Sequence, residues 1–165
     1  MSDYLTNGLR DRPRSYDLAG GVQSDEVWRY LKSTEVRVLE TTLGETELEA
    51  AHSGEGHELV DAPGAGKVLV FLGAVLKYNR GASNITSSTN GHLRFMLGAV
   101  NASNQIAEGF IEAGEDRTAI AVQEAVADES ANVENKKLSL KAHSALTAPA
   151  DATLDVYLKY QIYEL

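Results

Sequence analysis

The sequence predicts an all-β fold: an antiparallel β-sandwich, jelly-roll-like, with an extended N-terminal arm. Three observations predict it. Apolar and polar side chains alternate strictly near the C-terminus, short apolar segments recur between Gly, Pro and Asn turn signals, and the first 33 residues lack a regular apolar period. We therefore assign residues 1–33 to the arm and residues 34–165 to the sandwich.

The clearest predicted strand lies at the C-terminus, where five alternations follow one another. This pattern fixes the register, because a slip of one residue would expose the whole apolar set. Residues 138–142 show the same period of two over a shorter stretch. The apolar residues on one face of the last strand are Leu154, Val156, Leu158, Tyr160 and Ile162.

The central strand is predicted from a continuous apolar segment at residues 68–76. Its length and β-branched residues favour a strand that is buried on both sides. Gly73 in the middle predicts a bulge or a bend, and Pro63-Gly64 predicts the turn that precedes the strand. Shorter strands are predicted at 36–38, 58–61 and 93–97.

The middle of the chain is less regular. Residues 79–91 and 128–135 are rich in turn-forming and polar residues and predict loops. Ile106 and Phe110 are spaced four residues apart, as on a short helix. For residues 119–127 the pattern allows a strand with Ile120 and Val122 on one face or an Ala- and Glu-rich helix, and we favour the strand.

The composition argues against several classes of function. The chain has 165 residues, with 15 basic and 24 acidic side chains and a formal net charge of −9, so we expect no nucleic-acid partner. It has no Cys, which excludes disulfides and thiolate sites. No stretch approaches 18 apolar residues and residues 1–14 lack a signal-peptide core, so we expect no membrane partner and synthesis in the cytoplasm.

No catalytic motif is present, and we expect neither enzymatic activity nor a cofactor. The turn before Lys67 resembles a phosphate-binding loop, but the Walker A pattern needs Gly at position 61 and Ser or Thr at position 68. The chain has Asp61 and Val68 there. It also lacks the Gly-x-Ser-x-Gly elbow of a serine hydrolase.

A small His and Glu cluster is the one candidate for a metal site. His52, Glu55, His57 and Glu58 lie within seven residues, and imidazole and carboxylate groups bind divalent metals. Their spacing matches no standard site, so we expect a solvated loop and no metal. If the cluster did bind a metal, the protein could be a metal-dependent hydrolase, and we keep this as a further alternative. We expect His92 and His143 to be surface residues.

The N-terminal arm carries the candidate binding residues. Three arginines recur at every second position and would project to one side of an extended chain, where guanidinium groups can bind carboxylates of a partner. A short helix is predicted at 25–31, after Ser24. A solvated, disordered tail is the alternative, and the aromatic residues favour docking. The arm residues proposed to bind a partner are Arg10, Arg12, Arg14, Tyr16, Trp28 and Tyr30.

Three stretches resemble motifs of small virion proteins of tailed bacteriophages. The first runs from Val60 to Tyr78 and contains Ala-Pro-Gly-Ala-Gly-Lys before the apolar strand. The second is Glu134-Asn-Lys-Lys-Leu-Ser-Leu140, and the third is the final alternating strand at 153–162. The resemblance implies a head decoration (cement) protein on the capsid surface of the virion. It also implies a homo-oligomer, a trimer of β-sandwiches, with the major capsid protein as partner.

On this interpretation the protein is not an enzyme, and its arm ties neighbouring capsid subunits together from outside the shell. The alternative is a recognition module, either a domain of a phage tail or fibre or a carbohydrate-binding protein. Tyr157 and Tyr163 lie on the polar face of the last strand and could form a sugar platform, but we favour their packing against a sister subunit.

Overall fold

The computed structural model describes residues 35–89, 91–124 and 133–165. Within them the chain forms two four-stranded antiparallel sheets and one two-stranded pair. The elements are β1 (Arg37–Leu43), α1 (Glu45–Ala50), β2 (His57–Val60), β3 (Lys67–Asn79), β4 (Thr86–Ser87), β5 (Leu93–Leu97), β6 (Val100–Asn101), a 3₁₀ turn (Glu108–Phe110), β7 (Arg117–Val122), β8 (Leu138–Ala142), β9 (Leu146–Thr147) and β10 (Thr153–Glu164).

The strand order is β1-β10-β3-β7 in the first sheet and β2-β8-β5-β6 in the second, and β4 pairs with β9. Neighbours within each sheet are mostly distant in sequence, so the chain crosses between the sheets several times. The longest ladder joins β3 to β10, from Lys67↔Glu164 to Asn79↔Thr153. The prediction of an all-β antiparallel sandwich is confirmed.

The core lies between the two sheets. Phe71 on β3 stacks on Phe95 on β5, with ring centroids 4.9 Å apart. Tyr78 and Phe110 make an edge-to-face contact at 6.3 Å near the end of β3. The predicted inward face of β10 is confirmed for Leu154, Val156 and Leu158, which are fully buried. These aromatic and aliphatic contacts fix how the sheets face one another.

The prediction that β3 is buried on both sides is wrong. Leu69, Phe71 and Leu76 face the core, whereas Leu72 and Val75 are exposed. The second sheet covers only one face of the first, and no other described residues cover the opposite face of β3 at these positions. A continuous apolar segment is typical of a strand covered on both faces, but here one face of the segment is left open.

The bulge predicted at Gly73 is confirmed. Gly73 has φ +150°, and the register between β3 and β10 shifts at Lys159/Tyr160, so that Leu72 has no partner on β10. An extra residue of this kind bends a strand and increases its twist. Because of the shift, Phe71 and Ala74 both face the core although they are three residues apart.

The remaining predictions for the middle of the chain agree with the structure only in part. The strand predicted at 119–127 is confirmed for residues 119–122, which lie in β7, and residues 125–132 lie outside the described part. The short helix expected around Ile106 is only the 3₁₀ turn at Glu108–Phe110, because Ile106 itself forms a bridge with Leu93. The predicted 79–91 loop contains the short strand β4, and α1 was not expected.

Candidate interaction surface

The exposed apolar side chains of the described residues concentrate on one face of the molecule. Eight large hydrophobic residues are exposed, and six of them lie in the sheet β1-β10-β3-β7. Antiparallel sheets that border water normally present polar side chains on that side. We call this group the outer apolar face; its members are Val38, Leu72, Val75, Ile120, Val122 and Tyr157.

Strand register brings the members of this face together. Tyr157 on β10 pairs with Val75 on β3, and Val75 pairs with Ile120 on β7. Neighbouring strands lie about 4.8 Å apart, so these three side chains form a continuous row across the sheet. Tyr157, Val75 and Ile120 are 44%, 40% and 68% exposed. The row is therefore an apolar surface open to a partner.

A second row continues the patch. Val122 on β7 pairs with Gly73 on β3, and the neighbouring Leu72 is exposed. At the other edge of the sheet, Val38 on β1 pairs with Lys159 on β10. Val38, Tyr157 and Ile120 thus place apolar groups on three different strands of one face. The patch spans the whole width of the sheet.

Small residues on the inward side of β7 explain why its large ones face outward. Ala119 and Ala121 point to the core, where Ala121 is fully buried, and Ile120 and Val122 point away. The strand pattern predicts that Ile120 and Val122 share one face, but it does not identify that face as the exposed one. The alternation of Ala with large β-branched residues could have identified the exposed face. On this strand the small Ala side chains pack against the core and the large side chains point outward.

Four charged side chains lie within or beside the patch, and their charges cancel. Glu40, Lys77, Asp155 and Lys159 occupy outward positions on β1, β3 and β10. Asn79 Nδ2 donates a hydrogen bond to Asp155 Oδ2 at 2.9 Å, and Thr42 Oγ1 donates to Oδ1 at 2.7 Å. These two hydrogen bonds, with Lys77 nearby, lower the pKa of Asp155 below its usual value. The face is neutral overall on a chain of net charge −9.

The arm residues predicted to bind a partner lie outside the described residues, as does the helix predicted at 25–31. This applies to the whole set of Arg10, Arg12, Arg14, Tyr16, Trp28 and Tyr30. Their role therefore stays a prediction from the sequence. The first described residue is Glu35, two positions before β1 at the edge of the sheet that bears the outer apolar face.

The His and Glu cluster is mostly exposed, with His52, Glu55 and Glu58 at the surface. Lys137 Nζ lies 3.6 Å from Glu55 Oε2 and 3.3 Å from Glu58 Oε2. Lys141 Nζ donates to the backbone carbonyls of His52, at 2.9 Å, and Gly54. Among the described residues, no group of three or more His, Cys, Asp or Glu side chains is placed to hold a metal ion. The contacts indicate that the cluster anchors the loop after α1 onto β8.

The glycine turn before β3 has its donors occupied by the protein's own side chains. Gly64 N donates to Asn135 Oδ1 at 2.8 Å, and Gly66 N donates to Glu134 Oε1 at 2.7 Å. Both glycines have positive φ, +100° and +72°, which L side chains adopt at a cost. A carboxylate thus fills the position that an anion would take in a phosphate-binding loop.

The two tyrosines considered as a sugar platform are not adjacent. They lie six residues apart on β10, which corresponds to about 20 Å along an extended strand. Tyr157 belongs to the outer apolar face, whereas Tyr163 is half-buried and donates to Gln161 Oε1 at 2.7 Å. Separated in this way, they cannot stack on the same sugar ring.

The two histidines expected at the surface form a pair. His143 is exposed and His92 is half-buried, and their rings stack with centroids 4.4 Å apart and an interplanar angle of 17°. His143 N also donates to His92 O at 3.0 Å. Burial first, then His143 and Arg94, lower the pKa of His92, and Glu108 partly opposes them. Two protonated rings at this separation would repel each other.

Comparison with known proteins finds a likeness in structure but none in sequence family. No protein-family model and no curated protein matches the chain. A solved structure described as the cyanophage Pam1 capsid asymmetric unit contains a similar chain, with a TM-score of 0.45 and 17% sequence identity over 77% of this chain and 84% of that one. In the described part of the chain, no helix has the length and apolar character needed to cross a membrane.

Proposed function

We propose that this chain is a non-enzymatic structural protein of a tailed-bacteriophage particle, a head decoration (cement) protein bound to the outside of the capsid shell. The observation that carries the proposal is the outer apolar face. Soluble monomers rarely leave a contiguous apolar patch of this kind uncovered, and such patches mark association sites. An exposed apolar face of this kind is expected in a protein that functions by assembling with other proteins.

The positions of the phage-like motifs support the same proposal. The Ala-Pro-Gly-Ala-Gly-Lys turn and the Glu134-Asn135 stretch are far apart in sequence, yet they contact each other through Gly64 and Gly66. The two motifs therefore form one structural unit. A pair of sequence similarities that meet in space is more specific than either of them alone.

The topology supports the jelly-roll part of the fold prediction. Eight of the strands form two facing four-stranded antiparallel sheets, β1-β10-β3-β7 and β2-β8-β5-β6. This two-sheet arrangement of eight strands is the architecture of jelly rolls, which include capsid domains. A rigid body of this type suits a role that is mechanical.

In the proposed mechanism the arm acts as a clasp. Residues 1–33 carry no net charge, so residues 34–165 carry the whole −9. The acidic body would remain in solvent and avoid DNA, while Arg10, Arg12 and Arg14 would bind carboxylates on the capsid. One exposed ion pair contributes only about 0–1 kcal/mol. An oligomer, a trimer on the family resemblance, would engage several arms at once and multiply weak contacts.

The test uses the full-length protein and empty capsid shells of the phage that encodes it. The triple variant Arg10→Ala, Arg12→Ala, Arg14→Ala has a net charge of −9 − 3 = −12. We expect it to co-sediment with shells at least about tenfold more weakly than the wild type, because each oligomer loses several contacts together.

The matched control changes the charge by the same amount on the body. Ala99, Thr147 and Ala150 are exposed and lie away from the outer apolar face, so the variant Ala99→Glu, Thr147→Glu, Ala150→Glu also carries −12. We expect it to bind like the wild type. Equal weakening of both variants would contradict the role of the arm, and a wild-type protein that does not bind shells would contradict the decoration role.

A further inference from the structure

We propose that the outer apolar face is the surface through which one copy of this chain packs against a second copy. The inference rests on the proposed assembly role and names the partner of this face. Packing of two such faces would stack the sheet β1-β10-β3-β7 on its counterpart at about 10 Å, as in a sandwich.

The sheet that bears the outer apolar face is large enough for such a contact. β3 and β10 are 13 and 12 residues long, and β1 and β7 are 7 and 6. With about 3.3 Å per residue and about 4.8 Å between strands, the sheet has a flat footprint of about 600 Å². Side chains increase the accessible area beyond this footprint, which brings it near the ~800 Å² that each partner contributes to a stable interface.

The charge of the face favours a second copy over a strongly charged partner. Glu40 and Asp155 balance Lys77 and Lys159, so the face is neutral, whereas the whole chain carries −9. Two copies would repel one another through most of their acidic surfaces. At the neutral face this repulsion is smallest, and acidic side chains of one copy can pair with basic side chains of the other.

The composition of the face resembles that of an interface core. Tyr157 lies in its central row between β1 and β3, and Val75 and Ile120 continue that row. Aromatic residues near the centre of a contact contribute most of its binding energy, with charged residues at the rim. This row therefore has the composition expected at the centre of a contact between two copies.

The experiment is sedimentation equilibrium of the full-length chain over a range of micromolar concentrations, without capsids. The wild type is expected to exceed the monomer mass of 17.8 kDa. In the variant Val75→Lys, Ile120→Lys we expect dissociation to be favoured at least about 100-fold, because unpaired charges would be buried in the contact. The control Thr147→Lys, Ala150→Lys adds the same charge at exposed positions away from this face and should associate like the wild type.

A milder variant covers the case in which the lysines prevent folding. Val75→Thr, Ile120→Thr keeps the β-branched shape that suits strands and reduces only the apolar area, and we expect about tenfold weaker association. Circular dichroism verifies that each variant is folded.

Two results would overturn the inference. One is a wild type that stays at 17.8 kDa throughout, in which case residues 1–34 of the same chain or a capsid protein covers the face. The other is a folded Val75→Lys, Ile120→Lys variant that associates like the wild type. The sedimentation experiment contains no capsid shells, so neither result bears on whether the protein binds capsids. The capsid-binding test of the proposed function is separate.

Discussion

Glu134 Oε1 accepts a 2.7 Å hydrogen bond from the backbone N–H of Gly66, 68 positions earlier in the chain. The next residue, Asn135, does the same for Gly64, and Asn135 N donates to Lys67 O at 2.8 Å. The glycine turn and the segment before β8 are therefore held together by three hydrogen bonds. These contacts fix where β3 begins and how the chain enters the second sheet.

Removal of the Glu134 carboxylate should loosen this junction. We expect Glu134→Ala to lower the free energy of unfolding by about 1 kcal/mol, since the Gly66 donor would then depend on water. Urea unfolding measures the difference. Glu124→Ala is the control, because the Glu124 carboxylate makes no hydrogen bond with the described residues and its loss should have little effect. Equal effects of the two substitutions would contradict the role of the hydrogen bond.

Gly56 lies against the backbone of β8, and we expect Gly56→Ala to be strongly destabilising. A Cβ at this position would meet the Leu140 carbonyl group, with its carbon 2.9 Å away, and the residue has φ +92°. Both the close contact and the backbone conformation oppose a side chain, so we expect a loss above about 2 kcal/mol in unfolding free energy.

Gly54 provides the matched control for Gly56. It also has a positive φ, +47°, but nothing lies within 4 Å of the added Cβ. Gly54→Ala should therefore cost only the strain of a left-handed conformation, about 1 kcal/mol. Urea unfolding of both variants separates the two terms, and a Gly54→Ala loss as large as that of Gly56→Ala would show that contact with β8 is unimportant.

The stacked histidines predict a pH dependence of stability. Because the pKa of His92 is lower in the folded protein than the ordinary value of 6.5, the unfolded chain binds more protons. The stability contributed by neutral His92 is present above pH 6.5 and is lost as the pH falls through the lowered value. We expect urea midpoints to decrease between pH 7.5 and pH 5.

Substitution of His92 isolates this contribution to the pH dependence. His92→Gln should make the decrease in the urea midpoint smaller, whereas His52→Gln, on the exposed loop after α1, should leave it as in the wild type. An unchanged pH profile in the His92→Gln protein would show that other groups cause the decrease.

The stacked pair Phe71 and Phe95 joins the two sheets, and a double-mutant cycle measures their coupling. Both rings are fully buried, with centroids 4.9 Å apart. We expect Phe71→Leu and Phe95→Leu to couple by about 0.5–1.5 kcal/mol in unfolding free energy. Phe110 contacts Tyr78, seven residues further along β3, so Phe71→Leu and Phe110→Leu should be additive. Additivity of the first pair would argue against a specific ring contact.

Strict alternation allowed the C-terminal strand to be predicted from sequence. Leu154, Val156 and Leu158 are buried as their spacing predicts, because one buried face imposes a period of two on the strand. The α1 helix has no comparable apolar period in the sequence. It has six residues, only Leu48 among them is buried, and Glu47 stabilises its start by accepting a hydrogen bond from Gly44 N at 3.1 Å. A helix of that length is determined by its tertiary contacts rather than by its own pattern.

The fold class, the bulge at Gly73 and the inward face of β10 follow from the amino-acid pattern, since they depend on local backbone freedom and on the period of apolar residues. That Val75 and Ile120 are exposed and adjacent follows from strand pairing and from the packing of the sheets. They are 45 positions apart, and the pairing of β3 with β7 places them side by side. An apolar residue satisfies the same strand pattern whether it faces a core or a partner, and the packing of the second sheet against one side of the first decides between them.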